Sequence, residues 1–178
     1  MKPSPAFSPS AGLMQFAQAF AGKLVLDAPC GYGRNAIALA RMDCTIVGSD
    51  HDQQRLDAAA SAAKQAGIDS NRIALVRCDL SERGWCFENE GFDGIVCVHF
   101  DFRPILGQLL TAVRPSGYLY IETFGGQGRN YLDLPPEGFV KEMLSGDFEI
   151  KSYNERWVGP AGVDAVAVQT FCRRRHRP

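Results

Sequence analysis

A mostly parallel α/β sheet with helices on both faces is the fold this 178-residue chain predicts. Three observations predict it. From residue 23 onward, β-type apolar runs alternate with helix-period runs five times, the order that buries a parallel sheet between two helical layers. Residues Val25 to Ala36 read as an apolar run ending in Asp27, a turn holding Gly31 and Gly33, and then small residues at helical spacing. Two β-type runs joined by Gly159-Pro160-Ala161-Gly162 close the chain as a hairpin.

The elements follow in order. Residues 1–11, rich in proline and serine, form a flexible arm. Leu13, Phe16, Ala17 and Phe20 share one helical face that ends near Gly22. Strand one spans about 23–28 and the next helix about 33–42, with Ile37, Leu39 and Ala40 inward. Thr45–Asp50 is a β-run ending in an acid. A helix over about 53–66 then places Leu56, Ala60 and Ala63 on one face and stops at Gly67. Ile73–Val76 is strand three, closing at Cys78-Asp79-Leu80, and 81–91 is a polar loop. Strand four is Phe92–Val98. Arg103-Pro104 opens a helix whose buried stripe is Ile105, Leu106, Leu109, Leu110 and Val113. Pro115-Ser116-Gly117 is a turn before strand five, Tyr118–Phe124. A long loop covers 125–136, a short helix carries Phe139, Val140, Met143 and Leu144, and the hairpin strands are Phe148–Val158 and Val163–Cys172.

Composition sets the boundaries. One domain, 12–173, accounts for the chain between the arm and a basic tail at 174–178, read as a solvated end. A net charge of −1 argues against an electrostatic nucleic-acid binder. No 18-residue apolar run is present, so no membrane span is expected. The start, Met-Lys-Pro-Ser-Pro, has no continuous apolar stretch and does not read as a secretory leader. The six cysteines (Cys30, Cys44, Cys78, Cys86, Cys97, Cys172) have no metal-ligand spacing, read as small apolar side chains, and suit a cytoplasmic setting with no bound metal.

The glycine turn is a Rossmann-like feature: glycines let a ligand approach the backbone closely. With it come Asp50 ending strand two, Cys78-Asp79-Leu80 ending strand three, Phe92-Asp93-Gly-Ile-Val-Cys-Val98, and Arg114-Pro-Ser-Gly-Tyr-Leu-Tyr-Ile121. In that order these motifs resemble class I S-adenosylmethionine-dependent methyltransferases over about residues 12–173. The resemblance implies a seven-stranded sheet with an antiparallel C-terminal strand, and S-adenosyl-L-methionine as cofactor. Gly-Arg-Asn-Ala at 33–36 is similar to small-molecule enzymes of the tellurite-resistance and thiopurine S-methyltransferase type. Pro29 stands where that pattern has its first glycine, which removes one backbone N–H. Those tellurite-resistance relatives have a His-Arg pair before the last strand. Here the stretch reads Trp157-Val-Gly-Pro-Ala-Gly, so their acceptor chemistry does not carry over.

The resemblance assigns roles, each with a competing reading. Asp27 would meet the cofactor ammonium, or cap the following helix. Gly31 and Gly33 would let the backbone pass beside the methionine portion, or simply make the tight strand-to-helix turn; Ala28 and Cys30 would also line the cofactor, and Cys30 otherwise packs. Arg34 is unfavourable at a helix start, where the dipole repels a cation. A cofactor carboxylate would reverse that penalty, and the competing reading is a surface arginine. Asp50, 17 residues after Gly33 with His51 beside it, would chelate the ribose diol; the alternative is an N-cap, a task for which Asp52 is better placed. Asp79 would take the adenine amino group with Leu80 over the ring, or be a turn acid. Cys97 and Val98 would sit at the mouth where the methyl lies, and His99 would steer an acceptor or take its proton, or bond a loop.

For the acceptor side, Glu122, Arg129 and Tyr131 are candidates, with Trp157 as a further pocket wall. Glu122 pairing with Arg103, and packing for the two aromatics, are the alternatives. A small-molecule acceptor is expected. Two other functions fit the same turn: an NAD(P)-dependent oxidoreductase, and a non-catalytic cofactor-binding protein. Composition leaves the oligomeric state open.

Overall fold

The computed structural model describes residues 8–81, 84–125 and 130–176. Seven strands form one sheet in the order β3-β2-β1-β4-β5-β7-β6. They are β1 (Leu24–Asp27), β2 (Thr45–Asp50), β3 (Ile73–Arg77), β4 (Phe92–Val98), β5 (Val113–Glu122), β6 (Phe148–Trp157) and β7 (Val166–Arg174). Strands β1 to β5 pair in parallel, whereas β7 runs antiparallel to both β5 and β6. The hairpin therefore inserts its second strand beside β5 and leaves β6 at the edge. The helices are α1 (Ala11–Met14), α2 (Arg34–Ala40), α3 (Gln53–Gln65), α4 (Leu106–Ala112) and α5 (Phe139–Leu144).

Side chains alternate across a strand, so each strand supplies both layers. Val25, Ile46, Val96, Val98 and Tyr120 face Leu13, Phe20, Ala36 and Leu39. Leu26, Ile95, Cys97, Leu119 and Ile121 face the other way, against Ile105, Leu106, Leu109, Val140 and Leu144. The strand order reverses between β1 and β4. In open α/β sheets that reversal leaves a crevice at the carboxyl ends of the strands.

Several expectations needed correction, each for a local reason. The helix over 13–20 is two short pieces, α1 and a 3-10 turn at Ala17–Phe20; its apolar face is still buried, with Phe16 half covered. On α3 the buried stripe is Leu56, Ala59 and Ala63, with Ala60 exposed, because Ala59 is the residue turned against Gly33 at the start of α2. Arg103–Ile105 is a 3-10 turn that leads into α4. The turn at 115–117 lies inside β5: Ser116 at φ +67° and a register shift opposite Phe92/Gly94 absorb it as a bulge. The 125–136 loop includes a 3-10 turn at Asn130–Asp133.

The described parts of both ends, from residue 8 and up to residue 176, are tied down where flexibility was expected; residues 177–178 lie outside the described residues. Ser10 is buried and caps α1, so the arm docks from that point; residues 1–7 lie outside the described residues. At the other end Arg173 lies over the Tyr118 ring, and Arg174 stays within β7. The Arg174 guanidinium binds the carbonyls of Thr111 and Val113 and the Glu90 carboxylate. The basic run thus holds the C-terminal end of α4, where cations are favoured. Cys78 and Cys86 form a disulfide across the polar loop, in place of two unpaired apolar side chains, while Cys30, Cys44, Cys97 and Cys172 are free and buried.

Phe20 joins the N-terminal layer to the sheet. It is fully buried, edge-on to Tyr118 and Phe171, and a β-carbon at Gly94 would lie 2.5 Å from its ring. Phe20→Ala is expected to lower stability by about 3–5 kcal/mol in urea denaturation. A loss below about 1 kcal/mol would remove the N-terminal layer from the core.

Candidate functional site

The carboxyl ends of β1, β2, β4 and β5 bring most of the predicted residues to one rim. Asp27 ends β1, fully buried, and neither carboxylate oxygen has a hydrogen-bond partner among the described residues. Burial pushes its pKa up to about 7; the nearby Ala36 amide and the Arg34 charge counter this only in part. An acid in this state has room for a donor or a cation closer than these. It does not cap α2, whose N-cap is Gly33 with no side-chain bond.

Above Asp27 the chain turns through Ala28 to Gly33. Gly33 has φ +77°, and a β-carbon there would stand 3.0 Å from Ala59, so only glycine lets α2 start this close to α3. The turn is held from below by Asp50, whose side chain is 1% exposed. Its Oδ2 accepts the Gly31 N–H at 3.1 Å and its Oδ1 the Asp52 N–H at 3.0 Å. Asp52 in turn caps α3, as its position suggested. Asp50 is thus the brace of the glycine turn, with His51 Nδ1 3.3 Å away and exposed. Cys30 and Cys97 are buried, and burial raises both thiols, which disfavours a reactive thiolate at either.

Beyond the turn, Pro29, His51, Asp79, Leu80, Ser81, Phe100, Asp101 and Pro104 line a cavity of about 260 Å³. Asp79 accepts from the Ser81 N–H and hydroxyl, a turn acid on the cavity wall, and Leu80 is buried behind it. Phe100 and Asp101 went unread in the sequence, and Pro104 was read only as a helix start, because the β4–α4 connection has no motif of its own.

On the other side of the rim, His99 follows β4 at φ +56° and stacks on Phe124. Its Nε2 lies 3.2 Å from Glu122 Oε1, and Arg34 Nη2 lies 3.2 Å from its Nδ1. Glu122 also accepts from the Ser10 and Tyr120 hydroxyls, both at 2.5 Å, and Gln169 donates to Tyr120 at 2.9 Å. Burial raises the Glu122 pKa, yet the bonds from His99, Ser10 and Tyr120 outweigh it and bring it to about 2. The possible Glu122–Arg103 pair is absent: Arg103 binds Asp101 at 2.7 Å and reaches the Leu134 carbonyl. Ser10 sits in a proline- and serine-rich stretch that gave no signal. Tyr120, two residues before Glu122 on the same strand face, could have been found by period-two spacing.

The remaining acceptor candidates gather elsewhere. Tyr131 lies against Gly159, and half-exposed Trp157 lines a separate cavity of about 440 Å³ formed by the 157–164 hairpin. Arg129 lies outside the described residues. Among the described residues no His, Cys, Asp or Glu cluster is placed to hold a metal ion, and no helix is long and apolar enough to cross a membrane.

This geometry agrees with what the chain resembles. A family model described as a methyltransferase domain matches residues 25–117. The ubiquinone biosynthesis O-methyltransferase of Escherichia coli O6:H1 is 25% identical over 162 residues, 87% of this chain and 64% of that protein. Its counterpart in Actinobacillus pleuropneumoniae serotype 5b is 26% identical over 156 residues, 84% of this chain and 65% of that protein. The chain therefore spans less than two thirds of the length of these curated relatives. TehB from Haemophilus influenzae superposes with a TM-score of 0.70 at 19% identity, covering 92% of this chain and 61% of that one. The Burkholderia thailandensis 1,6-didemethyltoxoflavin-N1-methyltransferase, bound to S-adenosylhomocysteine, gives 0.62 at 18%, covering 93% and 79%. With the family match running from β1 into β5 and the strand order as expected, the chain belongs to the S-adenosylmethionine-dependent methyltransferases of class I.

Proposed function

We propose that this chain transfers the methyl group of S-adenosylmethionine to a small-molecule acceptor at the rim above β1 and β4. The observation that carries the reading is Asp27: a fully buried carboxylate with no hydrogen-bond partner among the described residues, beneath a glycine turn at the switch point of the sheet. An ammonium group supplies both the charge and the donors that this acid lacks. Gly31 and Gly33 would admit the amino-acid end of the cofactor along the backbone, and Arg34 would meet its carboxylate. The cavity of Pro29, His51, Asp79, Leu80 and Phe100 would take the nucleoside, with Asp50 fixing the turn between the two. Bound there, the cofactor supplies a methyl group activated by its sulfonium.

The chain's own task is alignment, since holding two reactants in line is worth on the order of 7–11 kcal/mol. Val98 ends β4 and His99 follows it at the acceptor side, with Glu122 and Tyr120 behind them. The relatives named as O-methyltransferases support a hydroxyl acceptor. The net charge of −1 gives no support for a nucleic-acid substrate. Four free buried cysteines support a reducing, cytoplasmic setting, and the Cys78–Cys86 pair is the feature that argues the other way.

Calorimetry with S-adenosylhomocysteine, S-adenosylmethionine and NADH tests the cofactor. The two adenosyl ligands are expected to bind and NADH is not; binding of NADH alone would overturn the reading. Release of S-adenosylhomocysteine over a panel of phenols, amines, thiols and metalloids then tests turnover, with phenols expected to respond.

Asp27→Asn separates the acid's charge from its shape. It is expected to weaken S-adenosylhomocysteine binding by about 1.5–3 kcal/mol, the worth of a hydrogen bond to a charged group. The folded pKa of about 7 lies above the ordinary 3.8, so the folded chain holds the extra proton between these values. Asp27 therefore lowers stability as pH rises from about 4 to about 7. Urea denaturation should show the advantage of Asp27→Asn over the unaltered chain growing by about 1–3 kcal/mol from pH 5 to pH 7. Parallel curves would mean that the carboxylate titrates normally.

A further inference from the structure

The imidazole of His99 has both nitrogens engaged, and the two partners fix its tautomer. Nδ1 faces the Arg34 guanidinium, which can only donate, so this nitrogen carries no proton. Nε2 faces the Glu122 carboxylate, which only accepts, so this nitrogen carries the proton. In that state the ring offers an acceptor molecule no free lone pair.

The two partners are not equally fixed. Glu122 is held by the hydroxyls of Ser10 and Tyr120 as well as by His99. Stacking on Phe124 fixes the ring itself. Arg34 is partly buried, as Glu122 is, but reaches the ring with one nitrogen. A guanidinium bound to a neutral imidazole makes one hydrogen bond in which only the donor is charged, whereas with a carboxylate it makes two between opposite charges. Arg34 directly follows Gly33, beside the turn assigned to the cofactor's amino-acid end.

We propose that Arg34 is a latch on His99, closed over Nδ1 until the carboxylate of the bound cofactor draws the guanidinium away. This rests on the methyltransferase reading above and adds the acceptor class. Once the latch opens, Nδ1 presents a lone pair to the rim while Glu122 keeps the Nε2 proton. A hydroxyl-bearing acceptor then donates its hydrogen bond to Nδ1 and passes its proton there. The resulting imidazolium is neutralised by Glu122 and later releases the proton to water. Arg34 is a positioning residue, and His99 is the group that touches the acceptor. A thiolate has no proton to give and draws nothing from this device.

The chain has three histidines, so nitrogen-15 NMR of the imidazoles resolves the matter without a known acceptor. The His99 signals are assigned by their loss in His99→Gln. In the free protein Nδ1 is expected at the position of a hydrogen-bonded, unprotonated nitrogen. Saturating S-adenosylhomocysteine should move it to that of a free lone pair and leave the Nε2 signal in place. Methylthioadenosine, the same nucleoside without an amino-acid end, should leave Nδ1 unmoved, and Arg34→Met should show the open signal without ligand. Bound S-adenosylhomocysteine with an unmoved Nδ1 overturns the latch alone. Absence of a binding heat for S-adenosylhomocysteine overturns the cofactor reading and the latch with it.

Discussion

The rim of this sheet is organised around an acid that the fold buries and does not satisfy. Asp27 ends a strand whose other residues are aliphatic, and leucine or valine would continue the pattern at no electrostatic cost. Placing a carboxylate there, fully enclosed and with no bonded donor, is unfavourable to folding across the neutral pH range. Such a position makes physical sense when a partner arrives from outside the chain. Its neighbours are consistent with that: Asp50 holds the Gly31 amide and so keeps the turn open above Asp27, and Gly33 lets α2 begin without a side chain intervening.

Asp27 and Glu122 show how environment divides two carboxylates at one rim. Burial acts to raise both. The difference lies in donors: Asp27 has none bonded, whereas Glu122 gathers two hydroxyls and an imidazole N–H. Their pKa values separate to about 7 and about 2. Pairs of acids driven apart in this way mark sites where each has a distinct task. Asp27 is left short of positive charge, and Glu122 is locked as an anion that fixes the proton of His99.

The sheet and its switch point were legible because they rest on short-range rules. Short β-type apolar runs gave the strands from β1 to β5, Gly67 stopped α3, and Gly-Pro-Ala-Gly gave the β6–β7 hairpin. The glycine turn and the acids at strand ends were legible for the same reason. Contacts between distant segments were not. Ser10 lies 112 residues from Glu122, and nothing in a proline- and serine-rich stretch announces that one hydroxyl will be buried against it. Arg174 read as part of a solvated run, yet three acceptors at the end of α4 and on Glu90 wait for it across the sheet edge. The bulge at Ser116 escaped because a Pro-Ser-Gly triplet signals a reversal, and pairing with β4 overrode that preference.

Asp50 illustrates a subtler limit of spacing arguments. Its distance from the glycines matched an acid that grips a sugar diol, and it does lie at the rim. Its oxygens, however, are engaged by the Gly31 and Asp52 amides, and its side chain is almost wholly buried. A carboxylate has about four lone-pair sites, and His51 Nδ1 at 3.3 Å and Arg55 Nη1 at 3.9 Å face the two that the amides leave. The two bonds already made fix where those can point. The same acid thus shapes the turn and restricts what approaches it, whereas sequence spacing alone describes only the second task. Removing it would unmake the turn before it deprived any ligand of a contact. For this site, therefore, the backbone brace comes first and recognition follows from it.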